Sequence, residues 1–317
     1  MRRLRLLPLA LLVLAAVLAC SNCGRMETAS GEAALRIVCT SFPCYDFVRA
    51  VAGDAAEITL LIKPGAEVHS FEPTPLDVRT IAECDLFVCI GGESDAWADD
   101  ILSAFGDSVP RTLRLIACVE AIEEEETEGM TVHAAATGAD EIEYDEHIWT
   151  SPVNAMRMVE AVRDELDLLR PELAGAFDGS AEEYRNEISG IDAELRALVE
   201  SAPRRELIFG DRFPFLYLAR EYGLACWAAF PSCAAESEPS AKTLSFLIEK
   251  VRADGVPAVY QIELSSGRTA RAVAEETSTE VLTLQSAQNV SEADFTAGAT
   301  YVSLMRENIE ALRKGLN

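Results

Sequence analysis

Two periods of apolar spacing alternate along most of this chain. Short apolar runs at 35–39, 58–62, 85–90 and 112–116 read as strands. The segments between them, 42–52, 76–83 and 97–105, read as helices. Lys63-Pro64-Gly65 and Gly91-Gly92 stop two of the runs. The alternation resumes after residue 201, with strands predicted at 207–209, 225–230, 258–262 and 280–284. Helices are predicted at 215–222, 240–254, 266–277 and 300–316, and Ser240 suits the cap of the second. Strands alternating with helices build parallel sheets. The fold class expected is therefore α/β, in two halves, the second repeating the strategy of the first without visible sequence identity.

The middle of the chain reads differently. Met156, Val159, Val162, Leu166 and Leu169 share one helical face, and after Arg170-Pro171 so do Tyr184, Ile188, Ile191, Leu195, Leu198 and Val199. This predicts a long helical connection between two lobes. The expected organisation is a targeting segment at 1–20, a small polar tether at 21–34, an N-terminal lobe at 35–152, a connecting helix region at 153–201 and a C-terminal lobe at 202–317. Within the first lobe, 120–145 breaks the pattern. It carries Glu123-Glu124-Glu125-Glu126 and later His133, and reads as a mobile acidic loop.

Composition narrows the function. A net charge of −26 over 317 residues argues against a nucleic-acid partner, which needs a basic face. It suits a soluble extracellular protein or a binder of cations. Arg2, Arg3 and Arg5 precede an apolar stretch too short to span a membrane, ending in Val17-Leu18-Ala19-Cys20. This resembles a bacterial lipobox, with Cys20 as the lipid-modified N-terminus of the mature chain; the plainer reading is an ordinary secretory signal. Either reading places the protein outside the cytoplasm, and cleavage removes three arginines and no acids. Of the other eight cysteines, several sit in apolar runs, as in Leu86-Phe87-Val88-Cys89-Ile90. Buried thiols are expected for most, with at most one or two disulfides.

Only three histidines are present. His69 follows a predicted strand, and His147 lies in Asp145-Glu146-His147-Ile148-Trp149. Both fall in loops of the same half, where open α/β sheets bind ligands. An isolated histidine is most often structural, but two in loops feeding one cleft point to a borderline metal.

These residues carry a resemblance. Gly65-Ala66-x-x-His69-x-x-Glu72-Pro73-x-Pro75, then Glu146-His147-Ile148-Trp149 with Pro152 and Asn154, resemble the zinc/manganese class of solute-binding lipoproteins of bacterial ABC importers. So do Phe42-Pro43-x-Tyr45-Asp46 with Gly53-Asp54, the acidic loop before His147, and Tyr301-x-x-Leu304-Met305-x-x-Asn308-x-x-x-Leu312. The resemblance covers nearly the whole mature chain. It implies two α/β lobes joined by one long, rigid helix, a metal in the cleft between them, and two ligands from each lobe. His69 and His147 match the first pair. For the third ligand, counting points to Gly210 from one side and Arg212 from the other; Asp211 between them can bind a cation and is chosen, its plainer role being a helix cap. The fourth position lands on Gln288, a weak amide ligand. Glu263, Glu236 and Glu238 are reserve acids. Two imidazoles with one carboxylate lean to zinc, with manganese as the alternative because it prefers harder, oxygen-rich sets.

The implied function is a non-enzymatic receptor, a monomer held by its lipid anchor on the cell surface or in the periplasm, that captures zinc and hands it to an ABC importer permease. A secreted metal hydrolase would want a general base beside an open metal position, as in HExxH, which is absent. An adhesion or scaffold lipoprotein with a degenerate, metal-free site is the remaining alternative.

Overall fold

The computed structural model describes residues 33–125, 127–130, 144–232 and 238–317. The predicted targeting segment with Cys20, His133 and Glu236 therefore lie outside the described residues. No helix among those described is long and apolar enough to cross a membrane.

Strands β1 (Leu35–Cys39), β2 (Ala56–Leu60), β3 (Leu86–Cys89) and β4 (Thr112–Arg114) form a four-stranded sheet in the order β2-β1-β3-β4. All three pairings are parallel. Strands β5 (Glu206–Arg212), β6 (Ala225–Phe230), β7 (Ala258–Ile262) and β8 (Glu280–Leu284) repeat that order as β6-β5-β7-β8, again parallel. The sequence shows why the interior strands sit where they do. Leu86–Cys89 is buried at every position, whereas Ala56–Leu60 at a sheet edge alternates between more and less exposed residues.

Helices α1 (Phe42–Ala52), α2 (Pro75–Ala82) and α3 (Ala96–Ala104) flank the first sheet. Thr74 and Asp77 form a reciprocal capping box at the start of α2. Helices α6 (Leu216–Tyr222), α7 (Ala241–Asp254), α8 (Arg268–Thr277), the short α9 (Glu292–Thr296) and α10 (Tyr301–Gly315) belong to the second lobe. Ser240 caps α7 as expected. The helix predicted from 266 starts later, at Arg268, because Gly267 takes a left-handed conformation.

The connecting region is two helices. Helix α4 (Pro152–Leu169) ends before Pro171, and a single 3-10 turn, Pro171–Leu173, folds the chain back into the 28-residue α5 (Ala174–Ser201). The predicted stripe of α5, from Tyr184 to Val199, is buried throughout. The main core runs without a break from Phe42 and Val88 in the first lobe through α4 and α5 to Phe209, Leu284 and Leu312 in the second. Smaller clusters cover the outer face of each sheet.

One expectation changes. The described part of the acidic loop is docked rather than mobile: the Glu124 carboxylate accepts from Ser232 N at 3.1 Å and Ser232 Oγ at 2.5 Å, Glu125 pairs with Arg220, and Glu123 bridges to Tyr144. Among the described cysteines, Cys39, Cys44 and Cys89 are free thiols buried as small hydrophobes, and Cys84, Cys118 and Cys226 are free and half-buried.

Candidate metal centre

Three loops of the first lobe converge at the carboxyl ends of its strands. The loop after β2 carries His69, the loop after β3 carries Ser94, and the segment before α4 carries Asp145, Glu146 and His147. One ligand atom each from His69, Glu146 and His147 lies within 4.8 Å of the others. Their ring centroids put His69 and His147 5.9 Å apart. Glu146 and His147 are buried, and the His69 side chain is 12% exposed.

The hydrogen bonds determine which nitrogen of each imidazole carries its proton. Asp145 Oδ1 accepts from the His147 backbone N–H at 2.7 Å and lies 3.1 Å from His147 Nδ1. A carboxylate only accepts, so Nδ1 holds the hydrogen and Nε2 presents its lone pair. That Nε2 is buried and has no hydrogen-bond partner among the described residues. Ser94 spends its one hydroxyl hydrogen on Glu146 Oε1, while its backbone N–H donates to Oε2 at 2.9 Å. Ser94 Oγ must then accept from His69 Nδ1 at 2.8 Å, so His69 also turns an Nε2 lone pair outward. Each ring is thereby oriented by a partner behind it, as metal-binding imidazoles are.

The supports are themselves braced. The buried Asp95 carboxylate accepts from Ile90 N at 2.7 Å and Gly91 N at 3.1 Å, holding the loop that carries Ser94. Burial pushes its carboxyl up to about 6. Gly92 leaves room for Glu146, since a Cβ there would meet the Glu146 side chain at 2.4 Å. His69 is pushed below the ordinary imidazole value by burial, His147 and Arg212, against Glu146 and Glu67. Burial also pushes His147 down, but the charge and hydrogen bond of Asp145, with the charges of Glu146 and Glu124, leave His147 raised.

The second lobe closes over this group. His69 lines a cleft of about 460 Å³ with Glu67, Arg212, Glu263, Ser286, Gln288 and Asn289. Asn289 Nδ2 donates to Lys63 O at 2.9 Å and Ala66 O at 2.8 Å, and Trp149 Nε1 donates to Ser286 O at 2.7 Å. Trp149 lies against the His147 ring, with centroids 5.4 Å apart. Glu263 accepts from Ser286 N at 2.6 Å and Oγ at 2.5 Å, so its carboxylate is committed to the loop that bears Gln288. That loop and the neighbouring one each hold a non-glycine residue at positive φ, Ala287 and Leu264, a strain typical of functional loops.

The four residues singled out from the sequence part here. His69 and His147 come together, and Gln288 lines the same cleft. Asp211 does not join the group. The register of β5 shifts between Phe209 and Arg212, and this bulge turns Asp211 toward Arg212 N at 2.9 Å, Ile262 N at 3.4 Å and Ser265. Asp211 borders a separate cavity of about 240 Å³ that also touches Glu238. Arg212 borders that cavity too, and also lines the cleft, where its guanidinium meets Glu67 at 3.3 and 3.5 Å. Gly210 packs on α8, where a Cβ would come within 2.4 Å of the Ala270 backbone. Glu146 was missed by sequence reasoning; its only signal was an acid directly before His147, where Asp145 offered another.

A model of the family described as zinc-uptake complex component A, periplasmic (ZnuA), matches residues 37–315. The zinc-binding lipoprotein AdcA of Streptococcus pneumoniae is 30% identical over 301 residues; the match covers 94% of this chain and 58% of AdcA, so the chain spans little more than half that relative's length. The high-affinity zinc uptake system protein ZnuA of Bacillus subtilis is 27% identical over 304 residues, covering 95% of this chain and 93% of that protein. The crystal structure of the Zn(II)-bound ZnuA-like domain of S. pneumoniae AdcA superposes with a TM-score of 0.74 at 28% identity, over 90% of this chain and 99% of that domain.

Proposed function

The chain belongs to the periplasmic zinc-uptake complex component A family, and from that premise we propose that it captures zinc outside the cytoplasm and delivers it to an ABC importer permease. The observation that carries this reading is the His147 Nε2 lone pair, buried and without a partner among the described residues, beside Glu146 and His69. A buried polar atom left unpaired costs about 1–3 kcal/mol, and a metal ion supplies the missing partner. The ligands are His69 Nε2, His147 Nε2 and a Glu146 oxygen. Two imidazoles and one carboxylate suit tetrahedral zinc with one open position, and offer manganese too few oxygens. Gln288 reaches the cleft as an outer contact, and Asp211 acts as a structural acceptor. The protein works as a binding receptor without turnover, a monomer tethered through Cys20.

Elemental analysis and calorimetric zinc titration of the soluble chain from Ser21 test this. One zinc per chain is expected, with affinity falling by roughly 100-fold or more in His69→Ala, His147→Ala and Glu146→Gln, since even the groups that merely orient metal ligands are worth 10–100-fold. A folded wild-type chain that takes up no zinc, or takes up manganese in preference, would sink the reading.

A further inference from the structure

The cleft is far larger than its proposed cargo. A water molecule occupies about 30 Å³, so the roughly 460 Å³ that His69 lines beside the ligand group has room for a small molecule as well as an ion. The three ligand residues all come from the first lobe, and among the described residues no fourth histidine, cysteine or acid joins them. Zinc held by three protein ligands keeps a position for an outside group. The second lobe answers with a cation, the Arg212 guanidinium, whose side chain is 10% exposed and lines the cleft with His69. Around it are Ser286, Gln288 and Asn289, side chains that form hydrogen bonds and carry no charge. Of the two acids lining the cleft, Glu263 is taken up by Ser286 and Glu67 faces Arg212.

We propose that this cleft binds zinc together with a small carboxylate anion, one carboxylate oxygen filling the metal's open position and the group resting on the fork of Arg212. The inference rests on the zinc-capture reading above. A guanidinium matches a carboxylate with two parallel N–H···O bonds. Arg212 already makes that kind of contact to Glu67, but at 3.3 and 3.5 Å, long for charge-assisted bonds, and to a side chain that is 46% exposed. An incoming carboxylate can therefore exchange with Glu67. The anion also offsets the repulsion between a divalent ion and the guanidinium.

Zinc affinity of the full chain, measured at constant ionic strength in perchlorate, chloride or acetate, decides between outcomes. Wild type is expected to bind zinc in all three and about tenfold more tightly in millimolar acetate, the scale of one charge-assisted pair. Chloride, which has one charge but no fork to match, should give little of that gain. Arg212→Gln should keep zinc binding in perchlorate and lose the acetate response. Glu67→Gln, at an exposed position that leaves packing alone, should enlarge it. No acetate effect in wild type, an equal effect in Arg212→Gln, or an equal gain from chloride each overturns the proposal while zinc binding stands. Failure to bind zinc in any of the three salts overturns both readings.

Discussion

At the scale of single residues, the site is a problem in proton placement. Two acceptors, Asp145 and the Ser94 hydroxyl, draw both Nδ1 hydrogens away from the centre. His147 has a second consequence. Its net upward shift means it keeps a proton above the ordinary value of 6.5. In the metal-free fold that pairing stabilises fully below 6.5 and its contribution is lost as pH rises through the folded value. Zinc has the opposite preference, because it must displace the proton. Zinc affinity should therefore climb with pH until His147 is neutral. In Asp145→Asn the rise should begin at lower pH, because burial then acts on the imidazole against Glu146 and Glu124 alone. A zinc-affinity profile unchanged by that substitution would contradict the assignment.

At the scale of elements, buried polar residues fasten helices whose apolar stripes only bring them near each other. Asp46 in α1 is fully buried; it accepts from Tyr301 N at 2.8 Å at the start of α10, from the Tyr184 hydroxyl of α5, and from Arg49. One carboxylate thus joins the first lobe, the connection and the last helix. Asp46→Ala strands those donors and should lower unfolding stability by about 3 kcal/mol or more, seen as a lower denaturant midpoint at unchanged slope. A loss under about 0.5 kcal/mol, the usual surface effect, would show that the helices hold without it. The β5 bulge belongs to this scale as well. Hydrophobic alternation located the strand, but one extra residue in its register leaves Arg212, and not Asp211, lining the cleft with His69.

At the scale of the molecule, the lobes are tied across the cleft by few but well-placed bonds. Gly65 N donates to Val290 O at 2.8 Å, Phe42 N to Gln288 O at 3.3 Å, and Asn289 makes its two bonds to the loop that carries His69. Tyr301 reaches Trp149 O at 2.8 Å, so the last helix also holds the segment next to His147. Asn289→Ala should speed amide exchange in residues 63–69 and weaken zinc by up to about 30-fold, since two neutral hydrogen bonds are worth about 1 kcal/mol each. Exchange confined to its wild-type rate would mean that the lobes close without this clasp.

The two α/β lobes, their parallel strands, the helical link and the loop positions of His69 and His147 were legible in the sequence, because period-2 and period-3.6 patterns and glycine stops act over a few residues and each segment obeys them locally. The folding-back of the link at Pro171 could be suspected from the proline, but its packing of α4 on α5 depended on the shared core. Which side chains meet in the cleft was decided only by tertiary structure. Glu146 rather than Asp145 turns inward because Asp145 is occupied by His147 and Gly92 leaves a space for its neighbour. Arg212 rather than Asp211 faces His69 because a bulge changed the count. The direction of a loop side chain is set by partners 50 to 150 residues away in the chain, as Ser94 to Glu146 and Trp149 to Ser286 are, and no local pattern records them.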